Sequence, residues 1–150
     1  MRKLLFITII LFLFPIKVYG KLNYVGVSCP SPDYPNNLNK SSFVLMTFWF
    51  KPNYEVLRSN VLLYETSVTI QKFINKHNYY EEISFLKWGD QVKYKINRKT
   101  LELSYIGIDG TTWKRKCSIF NNEKEMDNLL TEYSQNTKII INQIKKDNKI

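Results

Sequence analysis

From Gln91 to Ile119 the chain alternates apolar and polar positions with a period of two, broken at two places. Val92-Lys93-Tyr94-Lys95-Ile96 and Leu101-Glu102-Leu103-Ser104-Tyr105 each give a strand with one wet face. Asn97-Arg98-Lys99-Thr100 and Asp109-Gly110 supply the turns before Trp113 to Ile119, which predicts a three-strand antiparallel meander. A two-residue Asp-Gly loop would set Leu103 beside Lys116 and mix the faces. A three-residue loop, Ile108-Asp109-Gly110, with Gly110 in the left-handed position, instead sets Leu101 opposite Cys117, Leu103 opposite Arg115, Tyr105 opposite Trp113 and Glu102 opposite Lys116. A one-residue slip moves every side chain to the other face, so the pattern selects the three-residue loop. A four-residue first turn would set Ile96 opposite Leu101 and Tyr94 opposite Leu103, with Lys95, Glu102 and Lys116 aligned on the outer face.

Upstream, Phe43 to Phe50 (FVLMTFWF) is apolar on both faces and reads as a strand covered on both sides. Val61 to Ile74 is rich in β-branched residues and gives one bent strand or two short ones. Asn75-Lys76-His77-Asn78 reads as a polar turn, and Tyr79 to Trp88 as the returning strand. Cys29-Pro30-Ser31-Pro32-Asp33-Tyr34-Pro35-Asn36-Asn37 reads as loop. After Phe120 the period changes. Met126, Leu129, Leu130, Tyr133, Thr137, Ile140, Ile141 and Ile144 follow three- and four-residue steps, one stripe of an amphipathic helix. Asn122 followed by Glu125 resembles a capping box, and Glu123, Glu125 and Asp127 at the start with Lys145, Lys146 and Lys149 at the end match the helix dipole.

These elements predict a mainly β fold with one α-helix: a curled or barrel-like antiparallel sheet at 42–120 and a C-terminal helix at 121–147 packed on it. The order is similar to that of lipocalin-like barrels, although the strand region is short for their eight long strands. Residues 1–20, with Arg2 and Lys3 before an apolar run from Leu4 to Phe14, have the layout of a secretory signal peptide. Membrane attachment is expected only through that segment, should it stay uncleaved. Residues 21–41 form a Pro- and Asn-rich N-terminal loop, and a periplasmic or extracellular location follows.

Charge and cysteine content narrow the chemistry. The chain has 22 Lys and Arg against 13 Asp and Glu; Arg2, Lys3 and Lys17 leave with the leader, lowering the net charge from +9 to +6. The lysines look scattered along the sequence, so nucleic acid is not the expected partner. Cys29 and Cys117 are the two cysteines, and export makes a disulfide between them the expectation. With one histidine, His77, zinc and iron–sulfur sites lack a ligand set, and no cofactor is expected. A Ser-His-Asp triad has no nucleophile elbow, and Glu81 and Glu82, adjacent on a strand, point to opposite faces. No catalytic residue emerges, and a non-enzyme is expected.

The residue that stands out is Arg115. Strand alternation turns Lys114 and Lys116 outward and Arg115 inward, towards Tyr94, Tyr105 and Trp113. A desolvated guanidinium needs a carboxylate, a carbonyl, a ring face or an anionic ligand. Arg115, Tyr94, Trp113 and Tyr105 are therefore the candidate ligand-binding residues, for a small amphipathic or anionic molecule held inside the sheet. A secreted interaction or inhibitor protein acting through an exposed face is the alternative, with an extracellular or periplasmic protein as partner.

The run Tyr94-Lys95-Ile96-Asn97-Arg98-Lys99-Thr100-Leu101-Glu102-Leu103, followed by a turn and Cys117, resembles a segment of short, uncharacterised exported proteins of marine alphaproteobacteria and their phages. Their usual form has Asp where this chain has Asn97. The resemblance implies export and the meander, and no activity.

Overall fold

The computed structural model describes residues 25–36, 38 and 41–147; the proposed leader at 1–20 lies outside them. Nine strands form one antiparallel sheet: β1 (Gly26–Pro30), β2 (Ser41–Phe50), β3 (Glu55–Tyr64), β4 (Ser67–Glu81), β5 (Phe85–Trp88), β6 (Lys93–Asn97), β7 (Glu102–Ile106), β8 (Thr112–Lys116) and β9 (Ser118–Phe120). One helix, α1 (Glu123–Asp147), follows. Each strand from β1 to β8 pairs with its neighbour in sequence, and β9 pairs with β1. Because β8 and β9 are separated by Cys117 alone, the two ends of the sheet are halves of one continuous stretch. The sheet therefore curls round on itself as an up-and-down barrel of eight strands, with β8 and β9 counted together.

The closure is held at Cys117. Its N–H donates to the Leu101 carbonyl on the β7 side at 2.9 Å. Its sulfur is bonded to Cys29 of β1, 88 residues away, with the two Cα atoms 4.2 Å apart. Cys29 and Cys117 stand one step beyond the Ser28–Ser118 pair of the β1–β9 ladder. The expected disulfide is present, but Gly26–Pro30 is a strand and not loop. Val27 and Cys29 alternate into the core, and both are fully buried.

Two apolar clusters sit on either side of the sheet. The inner one gathers Met46, Phe48, Phe50, Val56, Trp88, Tyr94, Ile96 and Leu103. The outer one joins Val44, Leu45, Val61, Leu63 and Phe120 to Met126, Leu130 and Ile141 of α1. This explains the two-sided apolarity of β2: a register shift between Phe43 and Leu45 sends both Val44 and Leu45 outward to the helix. At the helix start the Asn122 side chain accepts from the Glu125 N–H at 2.9 Å, while Glu125 reaches back to the Asn121 N–H at 2.7 Å. The capping arrangement is thus offset by one residue at its return bond. The stripe ends earlier than its sequence: Ile141 is buried, whereas Ile144 is 47% exposed.

The meander obeys the predicted register on one side. Glu102 faces Lys116, Leu103 faces Arg115 and Tyr105 faces Trp113, with Gly110 at φ 78° in the three-residue loop. On the other side the pairing is displaced by two: Ile96 faces Leu103 and Tyr94 faces Tyr105. The turn is wider than four residues because Leu101 takes φ 54° and donates its N–H to the Asn97 carbonyl at 2.8 Å. The Asn97 side chain receives the N–H groups of Lys99 and Thr100. A slip of two preserves the faces, so the inside–outside assignment survives. The expected outer row does not: Lys95 faces Ser104, and Glu102 pairs with Lys114 at 3.1 Å.

Two further assignments change. Asn75 to Asn78 is no turn but the middle of β4, with Lys76 paired to Glu55. Tyr79 to Trp88 is not one strand: Tyr79 ends β4 with Glu81, and Glu82, Ile83 and Ser84 turn into β5. The break in Val61 to Ile74 falls at Glu65, which adopts φ 53°. Asn75 and His77 can lie in a strand because they line a small cavity with other polar groups, Arg58, Asp90 and Gln91, rather than the apolar inner cluster.

Candidate functional site

The inner face of β4–β8 carries two cross-strand rows. In one, Tyr79, Trp88, Tyr94, Tyr105 and Trp113 stand side by side. Trp88 and Tyr94 are stacked 5.5 Å apart at 10°, and Tyr105 and Trp113 are stacked 5.2 Å apart at 19°. The next row holds Leu86, Ile96, Leu103 and Arg115. Burial decreases along the aromatic row, from Tyr94 at 4% exposure to Trp113 at 41%, which places Trp113 on the rim.

Arg115 is buried, as expected of an inward arginine, and it is tied to the scaffold. Its Nη1 donates to the carbonyls of Phe43 at 2.9 Å and Cys29 at 3.2 Å. Its guanidinium carbon lies 5.9 Å from the Tyr105 ring centre. These bonds join β8 to β1 and β2 across the closure.

A second arginine was not singled out from the sequence. Arg58 of β3 is 8% exposed and projects into the same interior. Its Nε donates to Asn60 Oδ1 at 2.9 Å and its Nη1 to the Tyr94 hydroxyl at 2.6 Å. Its guanidinium carbon lies 4.7 Å over the Phe43 ring and 5.7 Å from that of Tyr94. The sequence signal is weak: Val56 shares the inward parity of Arg58, but the shift between Arg58 and Asn60 breaks the alternation. Pro52 and Asn53 end the preceding strand, and no strand is read from the sequence between them and Val61.

Neither guanidinium has a carboxylate within 4.0 Å among the described residues. Burial holds Arg58 below its ordinary pKa, the like charge of Arg115 acts in the same direction, and Tyr94 opposes both. Burial conversely pushes the Tyr94 hydroxyl up, against the pull of Arg58. Two buried positive groups held by neutral oxygens and ring faces are a costly arrangement, which an anion would relieve.

Arg58 borders two cavities. One, of about 620 Å³, opens at the mouth and is lined by Phe43, Met46, Tyr94, Tyr105, Ile108 and Trp113 as well. The other, of about 310 Å³, lies by the seam where the β4–β5 ladder ends, next to Asn75, His77 and Asp90. Of the sequence-predicted residues, Tyr94, Tyr105 and Trp113 come together around the first cavity; Arg115 stands behind Tyr105 and does not line it. The acids at the openings are otherwise engaged. Asp109 accepts from the N–H and hydroxyl of Thr111, which hold its pKa down, and Asp90 approaches His77 at 3.7 Å.

No protein-family model, curated protein or solved structure matches the chain. Among the described residues no helix is long and apolar enough to cross a membrane, and no group of three His, Cys, Asp or Glu side chains gathers to hold a metal. What the geometry offers is a largely apolar, aromatic-walled cavity with one arginine, Arg58, in its lining and Asp109 beside it.

Proposed function

We propose that the protein is an exported, non-catalytic binding module that holds a small amphipathic anion inside the curled sheet. The anchor is Arg58, with Arg115 adding positive potential from behind. Tyr94, Tyr105 and Trp113 provide the wall for the apolar body of the ligand. The observation that carries this reading is the buried Arg58 in the lining of a cavity of about 620 Å³, with no carboxylate within 4.0 Å of it among the described residues. Cavities of this size and mixed lining suit a small ligand with one charged end. Export is supported by the leader-like residues 1–20 and by the Cys29–Cys117 disulfide, which persists in oxidising compartments.

The test uses 8-anilinonaphthalene-1-sulfonate, an amphipathic monoanion, in a fluorescence titration. A hydrogen bond to a charged group is worth about 1.5–3 kcal/mol, so Arg58→Met is expected to weaken binding by about 10- to 100-fold. Unchanged affinity in a folded Arg58→Met variant would remove Arg58 as the anchor and the proposal with it.

A further inference from the structure

The lysines that look scattered in the sequence are gathered by the fold. On the outer face of β4–β8, residues Tyr80, Lys87, Lys95, Ser104 and Lys114 form one row across five strands. Lys93 lies in the row on one side and Lys116 in the row on the other, against two acids on this face, Glu82 and Glu102. Glu82 pairs with Lys87 and Glu102 with Lys114, while Lys95 rests 3.8 Å over the Phe85 ring. Lys93 has no acidic partner among the described residues. A groove of about 410 Å³ runs here, lined by Tyr80, Lys87, Lys93, Lys95, Ser104 and Ile106 and by no carboxylate.

We infer that this groove binds an acidic polysaccharide. Lysines on adjacent strands stand about 4.8 Å apart and those two residues apart on one strand about 7 Å, a grid of point charges that suits a chain of repeating carboxylates. Tyr80, 71% exposed at one end, offers a flat ring to the apolar face of a sugar, and the Ser104 hydroxyl supplies a hydrogen-bonding group beside the lysines. A single-stranded nucleic acid would need successive aromatic platforms. The neighbouring aromatics, Trp88 and Tyr94, are instead 3% and 4% exposed and belong to the inner core. The surface is separate from the interior cavity, so the inference does not rest on the ligand proposed there.

The experiment is affinity electrophoresis of the full chain through gels containing alginate, a polyuronate, with neutral dextran as reference. Retardation by alginate alone is expected, and its loss at about 0.5 M salt, where exposed charges are screened. Lys93→Glu with Lys95→Glu is expected to weaken binding at least about tenfold, because like charges then face the polymer. Lys138→Glu with Lys145→Glu makes the same change in net charge on α1 and is expected to leave binding within about twofold. Tyr80→Ala, at an exposed position, is expected to weaken binding by a similar factor at each salt concentration where retardation is still measurable. Equal loss from the α1 pair would reduce the effect to net charge and overturn the site. Tighter binding to an oligothymidylate than to alginate, with Tyr80→Ala silent on alginate, would overturn the polysaccharide in favour of nucleic acid. No retardation by alginate would end the proposal. Arg58→Met should leave alginate binding intact, which keeps failure here distinct from failure of the interior site.

Discussion

Tyr94 does two incompatible things well only while it stays neutral. Its ring stacks on Trp88 in the inner core, and its hydroxyl accepts the Arg58 Nη1 proton at 2.6 Å. Burial raises its pKa, and Tyr34, Tyr79 and Tyr133 are raised for the same first reason. A raised folded-state pKa means that the contribution to stability is complete below the ordinary tyrosine value of about 10 and is lost as pH climbs through the folded value. Urea unfolding at neutral pH and above the ordinary tyrosine range should therefore show a steep alkaline loss. Tyr94→Phe is expected to cost about 1.5–3 kcal/mol at neutral pH, since Arg58 loses its acceptor, yet to lose less on the alkaline step. An alkaline loss as steep as that of the parent would assign the effect to the other tyrosines. At this scale the sequence was readable where alternation was clean. Arg115 could be placed because Lys114 and Lys116 flank it on a regular strand. Arg58 could not, because Pro52 shortly before its strand and a bulge between Arg58 and Asn60 interrupt the pattern.

Strand ends and turns were the least legible elements, and the reasons are local. The Asp-Gly turn carries its own chemistry in Gly110, and its register follows from composition. The Asn97–Leu101 turn depends on a leucine in the left-handed region, a conformation that no sequence pattern advertises. β1 was hidden because its five residues end in Pro30 and run into a proline-rich segment. Its role also explains Gly26, which pairs with Phe120 of β9 and Trp49 of β2. A Cβ at Gly26 would lie 2.0 Å from the Phe120 ring. That ring is 1% exposed and shares the outer cluster with Met126 and Leu130 of α1. Gly26→Ala should therefore push Phe120 against the helix and cost about 1–3 kcal/mol, the usual penalty of overpacking. Calorimetric unfolding checks the cost, and faster amide exchange along the first turns of α1 checks the route. A neutral substitution would show that β1 can shift without disturbing the helix.

At the scale of the whole molecule, the antiparallel sheet, the helix and the disulfide were legible, while closure was not, because closure needs the strand that read as loop. The sheet joins its own ends through three residue pairs between β1 and β9, the Arg115 bonds to Cys29 and Phe43, and the Cys29–Cys117 bridge. Of these the bridge acts over the longest stretch of chain, 88 residues. In the chain-entropy model a loop of that length is worth about 4–5 kcal/mol, a large share of the stability of a domain this size. Cys29→Ser with Cys117→Ser is accordingly expected to lower the unfolding temperature by about 10–20 °C. The loss should also have a place. Without the bridge, β9 is held by a short ladder at the end of the sheet, so β1 and β9 amides should exchange faster. Those of β6 and β7, paired on both sides within the meander, should change only with global stability. Because Arg115 spans the same closure and backs the interior cavity, anilinonaphthalenesulfonate affinity should fall with the bridge removed even at temperatures where the variant is folded. Uniform acceleration of exchange across all strands, with affinity unchanged, would mean that the bridge acts on the unfolded chain alone and that the barrel closes without it.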